Sequence, residues 1–325
     1  MRKILVLTIT LSSVAVAQND GLVKTYYPSG ALETEGNYAN GVRDGLWTFW
    51  YEGEVYEDYG EDGAPNTQDE GENNGQWDST ETVVRDLDGD TFYDPTKKQM
   101  EGSYSAGNRE GLWTTWYING MRKEESNYIA GKLNESIIRW HENGNRSEEG
   151  MYDTGKQNGT WVWYYETGIK QEHTKFLDGQ QNGLWIQWFS DGAKKSERNF
   201  TNGERDSIWT SWYDGGIIKE KSGDYSNNKL NNKWTYWADD GRKTEEISYK
   251  DGIKNGPYLF WNSDNYKTIE GQYVNGEKHS TWTLWYDDGV LRSKENYSNG
   301  EMDGLWSWWR PDGTKDREGN YKNGV

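Results

Sequence analysis

The segment Gly183-Leu184-Trp185-Ile186-Gln187-Trp188-Phe189-Ser190-Asp191-Gly192 recurs about every 24 residues along the chain, and its reading decides the fold. Aligned on the first aromatic, the copies place Trp113, Ile137, Trp161, Trp185, Trp209, Trp234, Tyr258, Trp282 and Trp306 in one column. Three residues later a second column reads Trp116, Trp140, Tyr164, Trp188, Trp212, Trp237, Trp261, Trp285 and Trp309. A third column runs from Tyr104 through Tyr128, Tyr152, Phe176, Phe200, Tyr225, Tyr249, Tyr273 and Tyr297 to Tyr321. Self-similarity at a fixed period is the mark of a repeat array. An array of near-identical units builds a surface, whereas catalysis needs a unique constellation of groups.

Each unit divides at two Gly-rich turns. One carries Asn119-Gly120, Asp191-Gly192, Asp288-Gly289 or Asp312-Gly313; the other follows the Tyr column, as in Tyr38-Ala39-Asn40-Gly41 and Tyr297-Ser298-Asn299-Gly300. Such dipeptides supply the positive φ that tight hairpins need. The runs between turns are about seven residues long and rich in Trp, Tyr, Thr and Ile, too short for helices. The spacing predicts an all-β chain: about ten stacked β-hairpin repeats forming an elongated, single-layer antiparallel meander. At ~4.8 Å per strand, the regular repeats should run on the order of 85 Å, as a monomer.

Trp185 and Trp188 are three apart and should face opposite sides of a strand. Both faces of the outgoing strand therefore carry aromatics, while return strands such as Arg122-Lys123-Glu124-Glu125-Ser126-Asn127 are polar. The aromatic columns, including Trp113, Trp116, Trp161, Trp185, Trp188, Trp209, Trp212, Trp234, Trp237, Trp282, Trp285, Trp306 and Trp309, are read as structural, burying one another by cross-strand contact. On this reading a mid-array Trp185 should matter more than Trp306 near the C-terminal end. One unit has 25 residues, and its extra residue reads as a β-bulge in the return strand near Gly223.

The 325 residues carry a net charge of −18 with a pI near 4.7. That balance argues against nucleic acid and anionic membrane surfaces as partners. There is no cysteine, so there is no disulfide framework and no thiolate metal site. Arg2 and Lys3, the apolar run Ile4 to Val14 and Ala15-Val16-Ala17 read as an export signal over 1–17. The expected location is periplasmic, cell-surface or extracellular. First hairpin repeats then occupy 22–51, an acidic irregular insert 52–99, and the main array 100–325.

The pattern Tyr-x-Asn-Gly-x-x-x-Gly-x-Trp-x-x-Trp-Tyr-x-x-Gly resembles the MORN-variant repeats of the YwqK-type toxin–antitoxin antitoxin-component family. Asn299-Gly300-Glu301-Met302-Asp303-Gly304-Leu305-Trp306 and Ala106-Gly107-Asn108-Arg109-Glu110-Gly111-Leu112-Trp113 carry the resemblance most clearly. It covers about 22–51 and 100–325. It implies a hairpin array that binds proteins or lipid, and it supplies no catalytic residues.

Chemistry is sparse. In the insert, Asp86, Asp88, Asp90 and Asp94 around Gly89 alternate like the oxygen ligands of a calcium loop, though the glycine position and Lys97 depart from the EF-hand pattern. The competing reading is a solvated acidic linker. A column of Glu35, Glu125, Glu149, Glu197, Glu246, Glu270 and Glu318 reads as a solvated face balanced by Lys and Arg. His141, His173 and His279 share no spacing, and no hydrolase, zinc-protease or phosphate-loop motif occurs, so no enzyme is expected. The leading expectation is a scaffold that binds a protein partner through an aromatic and acidic sheet surface. The second is a glycan-binding module using spaced Trp and Tyr. Exposure of the Trp columns separates the two.

Overall fold

The computed structural model describes residues 20–53, 55–57, 82–85 and 97–325. Among these there are twenty-six strands and no helix. Twenty-four strands belong to an antiparallel meander, and two short ones, Val55–Glu57 and Thr82–Arg85, pair apart. The all-β hairpin array expected from the spacing is what the structure shows. It divides into two compact units, one ending at Lys132 and one beginning at Leu133.

In the first unit, Gly21–Tyr26, Leu32–Ala39 and Val42–Trp50 form successive antiparallel pairs. Val42–Trp50 then pairs directly with Lys98–Ser105, Trp47 opposite Gly102. Tyr51 N donates to Lys97 O at 2.8 Å. The acidic insert therefore enters in place of one turn and leaves the ladder register untouched. The second unit is likewise an antiparallel meander, from Lys132–Trp140 to Lys315–Tyr321.

The two turns of a repeat use their dipeptides differently. Ala39 pairs with Val42 around Asn40 (φ 53°) and Gly41 (φ 76°). Both central residues are left-handed, the conformation whose twist suits a two-residue hairpin. In the other turn Phe189 N donates to Ala193 O at 2.8 Å, and only Gly192 is left-handed (φ 88°). Here the Asp191 carboxylate accepts from Ala193 N at 2.8 Å, so the acid acts through its side chain.

Each repeat also carries two irregularities that the period alone does not reveal. Gly111 is left-handed (φ 69°) two residues before Trp113, and the register jumps between Ser103↔Glu110 and Gly102↔Trp113. Beyond it, Thr115 pairs with Glu124 but Trp116 pairs with Arg122, leaving Lys123 as a bulge. In a regular strand residues three apart face opposite ways; one bulged residue returns them to the same face.

The 25-residue unit corrects the expected bulge at Gly223. Gly223 sits at a regular position opposite Trp209, and the register shift at Trp212 is the one found in the other repeats. The extra residue lies in the preceding turn, where Tyr213 N reaches Ile218 O (2.9 Å) and Ile217 is 89% exposed. A solvated turn lengthens without breaking ladder hydrogen bonds, whereas a strand interior cannot.

Candidate functional site

One face of the sheet is closed by an interlock of tryptophan and glycine. The first aromatic of a repeat stands opposite the residue eleven positions earlier, on the preceding strand. Where that residue is glycine, the indole lies flat on it. Gly36, Gly102, Gly150, Gly223 and Gly271 each face the ring of Trp47, Trp113, Trp161, Trp234 and Trp282 so closely that a Cβ would overlap it. All five indoles are buried. Each Nε1 donates to the carbonyl of the residue after the glycine, as Trp113 to Ser103 O (3.0 Å) and Trp234 to Asp224 O (2.9 Å). The Tyr of the preceding strand meets the ring edge-on, at 84° for Tyr104 on Trp113 and 86° for Tyr225 on Trp234. A cation covers several rings from above: Arg43 lies 4.3 Å from Trp47, and Arg109 lies 4.4 Å from Trp113.

The interlock breaks in two consecutive repeats of the second unit. Thr174 and Arg198 stand where the glycines should be, opposite Trp161 and Trp185 on one strand and next to Trp185 and Trp209 on the other. Unlike Trp306, which still donates to Asn296 O above Glu295, neither indole here reaches the carbonyl that the interlocked rings use. Trp185 and Trp209 instead tilt against the following strand, at 42° to Phe200 and 37° to Tyr225. Both are only half-buried as residues, yet both indole N–H groups are enclosed without an acceptor. Arg198 is held between the two rings, its Cζ 5.0 Å from Trp185 and 4.5 Å from Trp209. Arg205 approaches the Trp209 ring at 4.9 Å. Among the described residues, six buried side-chain polar atoms lack a partner, and five belong to this region: His173 Nδ1, Thr174 Oγ1, Trp185 Nε1, Arg198 Nε and Trp209 Nε1. Burial depresses the pKa of the Arg198 guanidinium; Glu172 opposes the shift and Arg205 adds to it.

The opposite face carries the second aromatic column. Trp188, Trp212, Trp237, Trp261, Trp285 and Trp309 are half-buried there. Trp116 pairs with Arg122, Trp188 with Lys194, Trp237 with Lys243. The bulge described above places each of these cations beside the Glu column, so Arg122–Glu125 (3.0 Å), Lys194–Glu197 (2.9 Å) and Lys243–Glu246 (2.7 Å) are ion pairs. Lysines also lie over the next repeat's indole: Lys98 on Trp116, Lys194 on Trp212, Lys267 on Trp285. Burial works against the charge on Glu246, but Lys243 and Lys233 hold its carboxyl below the usual range. The Glu column is thus a neutralised face rather than an acidic one. The chain's acidity is concentrated elsewhere: residues 52–99 hold 15 Asp and Glu against three Lys and Arg.

The lengthened turn opens a cleft of about 590 Å³ lined by Trp212, Tyr213, Asp214, Ile217, Glu220 and Asp239. The calcium candidates Asp86, Asp88, Asp90 and Asp94 lie outside the described residues. Among the described residues no cluster of His, Asp and Glu could hold a metal ion. His141 Nε2 lies 3.0 Å from Tyr164 O at a turn, in the place that Tyr165 takes towards Trp188 O in the next repeat. His173 and His279 lie in separate strands. The sequence reading missed Thr174, Arg198 and Arg205. Part of the signal was present: a glycine eleven residues before Trp47, Trp113, Trp161, Trp234 and Trp282, and Thr174 and Arg198 eleven before Trp185 and Trp209.

Comparison with known proteins bears on the repeat type. Residues 19–40, 157–178, 278–299 and 302–323 match the family model described as MORN repeat variant. Each matched segment spans an outgoing strand, the turn ending in glycine and the return strand. These matches support a MORN-variant repeat protein. No curated protein matches the chain significantly. Among solved structures, a chain of the TcdB2–TccC3–Cdc42 crystal structure is similar at 10% identity, with 93% of this chain and 18% of that chain covered and a TM-score of 0.16. A chain of a Photorhabdus luminescens Tc holotoxin pore is similar at 11% identity over the same shares, with a TM-score of 0.14. This chain thus spans under a fifth of either.

Proposed function

We propose that this MORN-variant repeat chain is an exported scaffold whose sheet face bearing the second aromatic column docks a protein partner. The observation that supports this is the difference between its two faces. On one face five indoles are enclosed by glycine and used as core. On the other, half-buried indoles from Trp188 to Trp309 alternate with Lys–Glu pairs. Accessible aromatic groups are enriched in protein interfaces, and the pairing of each Lys with a Glu leaves this face without a net acidic charge. The reading is one of binding, not catalysis. The likeness to YwqK-type repeats agrees with partner binding and names no partner. Export rests on the pattern of residues 1–17 and is checked by cell fractionation.

Photo-crosslinking tests the docking face. A crosslinking amino acid placed at Lys219 or Lys243, beside Trp212 and Trp237, should capture a protein from secreted and envelope fractions. The same group at Lys278, over the Trp282 indole, or at Phe260, on the face of Tyr258 and Trp282, should not. Capture from both faces alike, or retention of the chain on polysaccharide alone, would replace the protein-partner reading with a non-selective or glycan-binding one.

A further inference from the structure

We infer that the break in the interlock at Trp185, Arg198 and Trp209 is a binding site for a carboxylate, supplied by an acidic side chain of the protein partner. The inference rests on the scaffold reading above for the source of the carboxylate, and on the site's own chemistry for the rest. An indole N–H only donates, and a guanidinium has no acceptor. The unpartnered Nε1 of Trp185, Nε1 of Trp209 and Nε of Arg198 are therefore three donors awaiting an acceptor, with the Thr174 hydroxyl beside them. Enclosed donors without acceptors are costly and uncommon. Among the described residues the enclosed indole and guanidinium donors without acceptors lie in these two adjacent repeats.

Charge selects an anion. Along the opposite face Lys194, Lys243 and Lys267 each pair with a glutamate. Among the described residues Arg198 and Arg205 have no ion-pair partner, although the protein as a whole is strongly acidic. Glu172, whose charge acts on Arg198, accepts from Gln187 Nε2 at 3.0 Å. Arg198 is held by ring contacts alone, so its guanidinium is free to turn to a ligand entering between the two indoles. A planar carboxylate matches a guanidinium fork better than a spherical anion does.

The test uses the full chain, labelled with 15N, and follows the indole N–H signals of Trp185, Trp209 and Trp234. The probes are the blocked peptide acetyl-Gly-Glu-Gly-amide, its neutral Gln counterpart, sodium phosphate and sodium chloride. Saturable shifts at Trp185 and Trp209 but not at Trp234, with the Glu peptide and not the Gln peptide, are expected. Arg198→Gly restores glycine beneath Trp209. It should weaken binding at least about tenfold while leaving the thermal midpoint at or above that of the parent, so that lost binding is not lost folding. Arg198→Met keeps the packed stem without the charge and should weaken binding equally. Absent saturation, equal response to the Gln peptide, tighter binding of phosphate, or unchanged binding in both variants overturns the inference. A Glu-specific site in a chain that captures no protein would sink the scaffold reading alone; capture without a Glu-specific site would sink only this one.

Discussion

Gly223 and Trp234 are in such close register that a Cβ on the glycine would come within 2.3 Å of the indole Cδ2. The glycine is required by the partner's ring rather than by its own backbone angles. Gly223→Ala should therefore destabilise the chain by about 1–3 kcal/mol through overpacking. Trp234→Ala should cost about 3–5 kcal/mol. In the double variant the alanine no longer meets a ring, so its added cost should vanish. Denaturant unfolding of the three variants measures this coupling.

Trp185 should matter less than its central place in the array suggests. Trp306 is 7% exposed and donates to Asn296 O at 2.9 Å, while the Trp185 N–H has no acceptor. Trp161 is fully enclosed. Truncation to alanine should cost most at Trp161, about 3–5 kcal/mol, less at Trp306 and least at Trp185. This order reverses the expectation from repeat position, and thermal unfolding of the three variants checks it.

Deleting Ile217 should be tolerated. The residue is 89% exposed and lies in the only 25-residue unit, within a turn whose flanking register is regular. The deletion restores the usual turn length, and the unfolding midpoint should hold while the adjoining cleft shrinks. Deleting Gly223 instead, where the extra residue was expected, should shift every following side chain to the wrong face and abolish folding.

His173 should titrate below the ordinary histidine value. Burial is the main cause, and Lys170 and Lys175 add to it. A lowered folded pKa means that the unfolded chain takes up the proton first. Stability is therefore fully present above the ordinary histidine value of about 6.5 and falls as pH drops below it. NMR titration of the ring carbons reports the pKa, and His173→Gln should flatten the stability profile in that window.

Glu246 should resist protonation further than an ordinary glutamate. Its burial opposes the charge, but Lys243 at 2.7 Å and Lys233 at 3.5 Å outweigh it. The pair's contribution is present above the ordinary glutamate value of about 4.5 and is lost as pH falls through the lowered pKa. Lys243→Ala should raise the Glu246 pKa, measured from its side-chain carbonyl signal.

The sequence by itself determined the repeat, the hairpins and the all-β class. These depend on local chemistry: Asn40-Gly41 can adopt positive φ, and runs of seven residues rich in Trp and Thr suit strands. It also placed the two Trp columns on opposite faces, because alternation is a property of a single strand. Only the tertiary structure decided which column is core. Trp113 and Trp116 are alike in sequence, and their fates differ because Gly102 on the neighbouring strand accepts one indole while Arg122 stands beside the other. The bulge at Lys123, which sets Arg122 against Glu125, depends on register between strands and leaves no local signature. The same holds for Arg198, ordinary as a residue and exceptional only because it occupies the place of a glycine between Trp185 and Trp209.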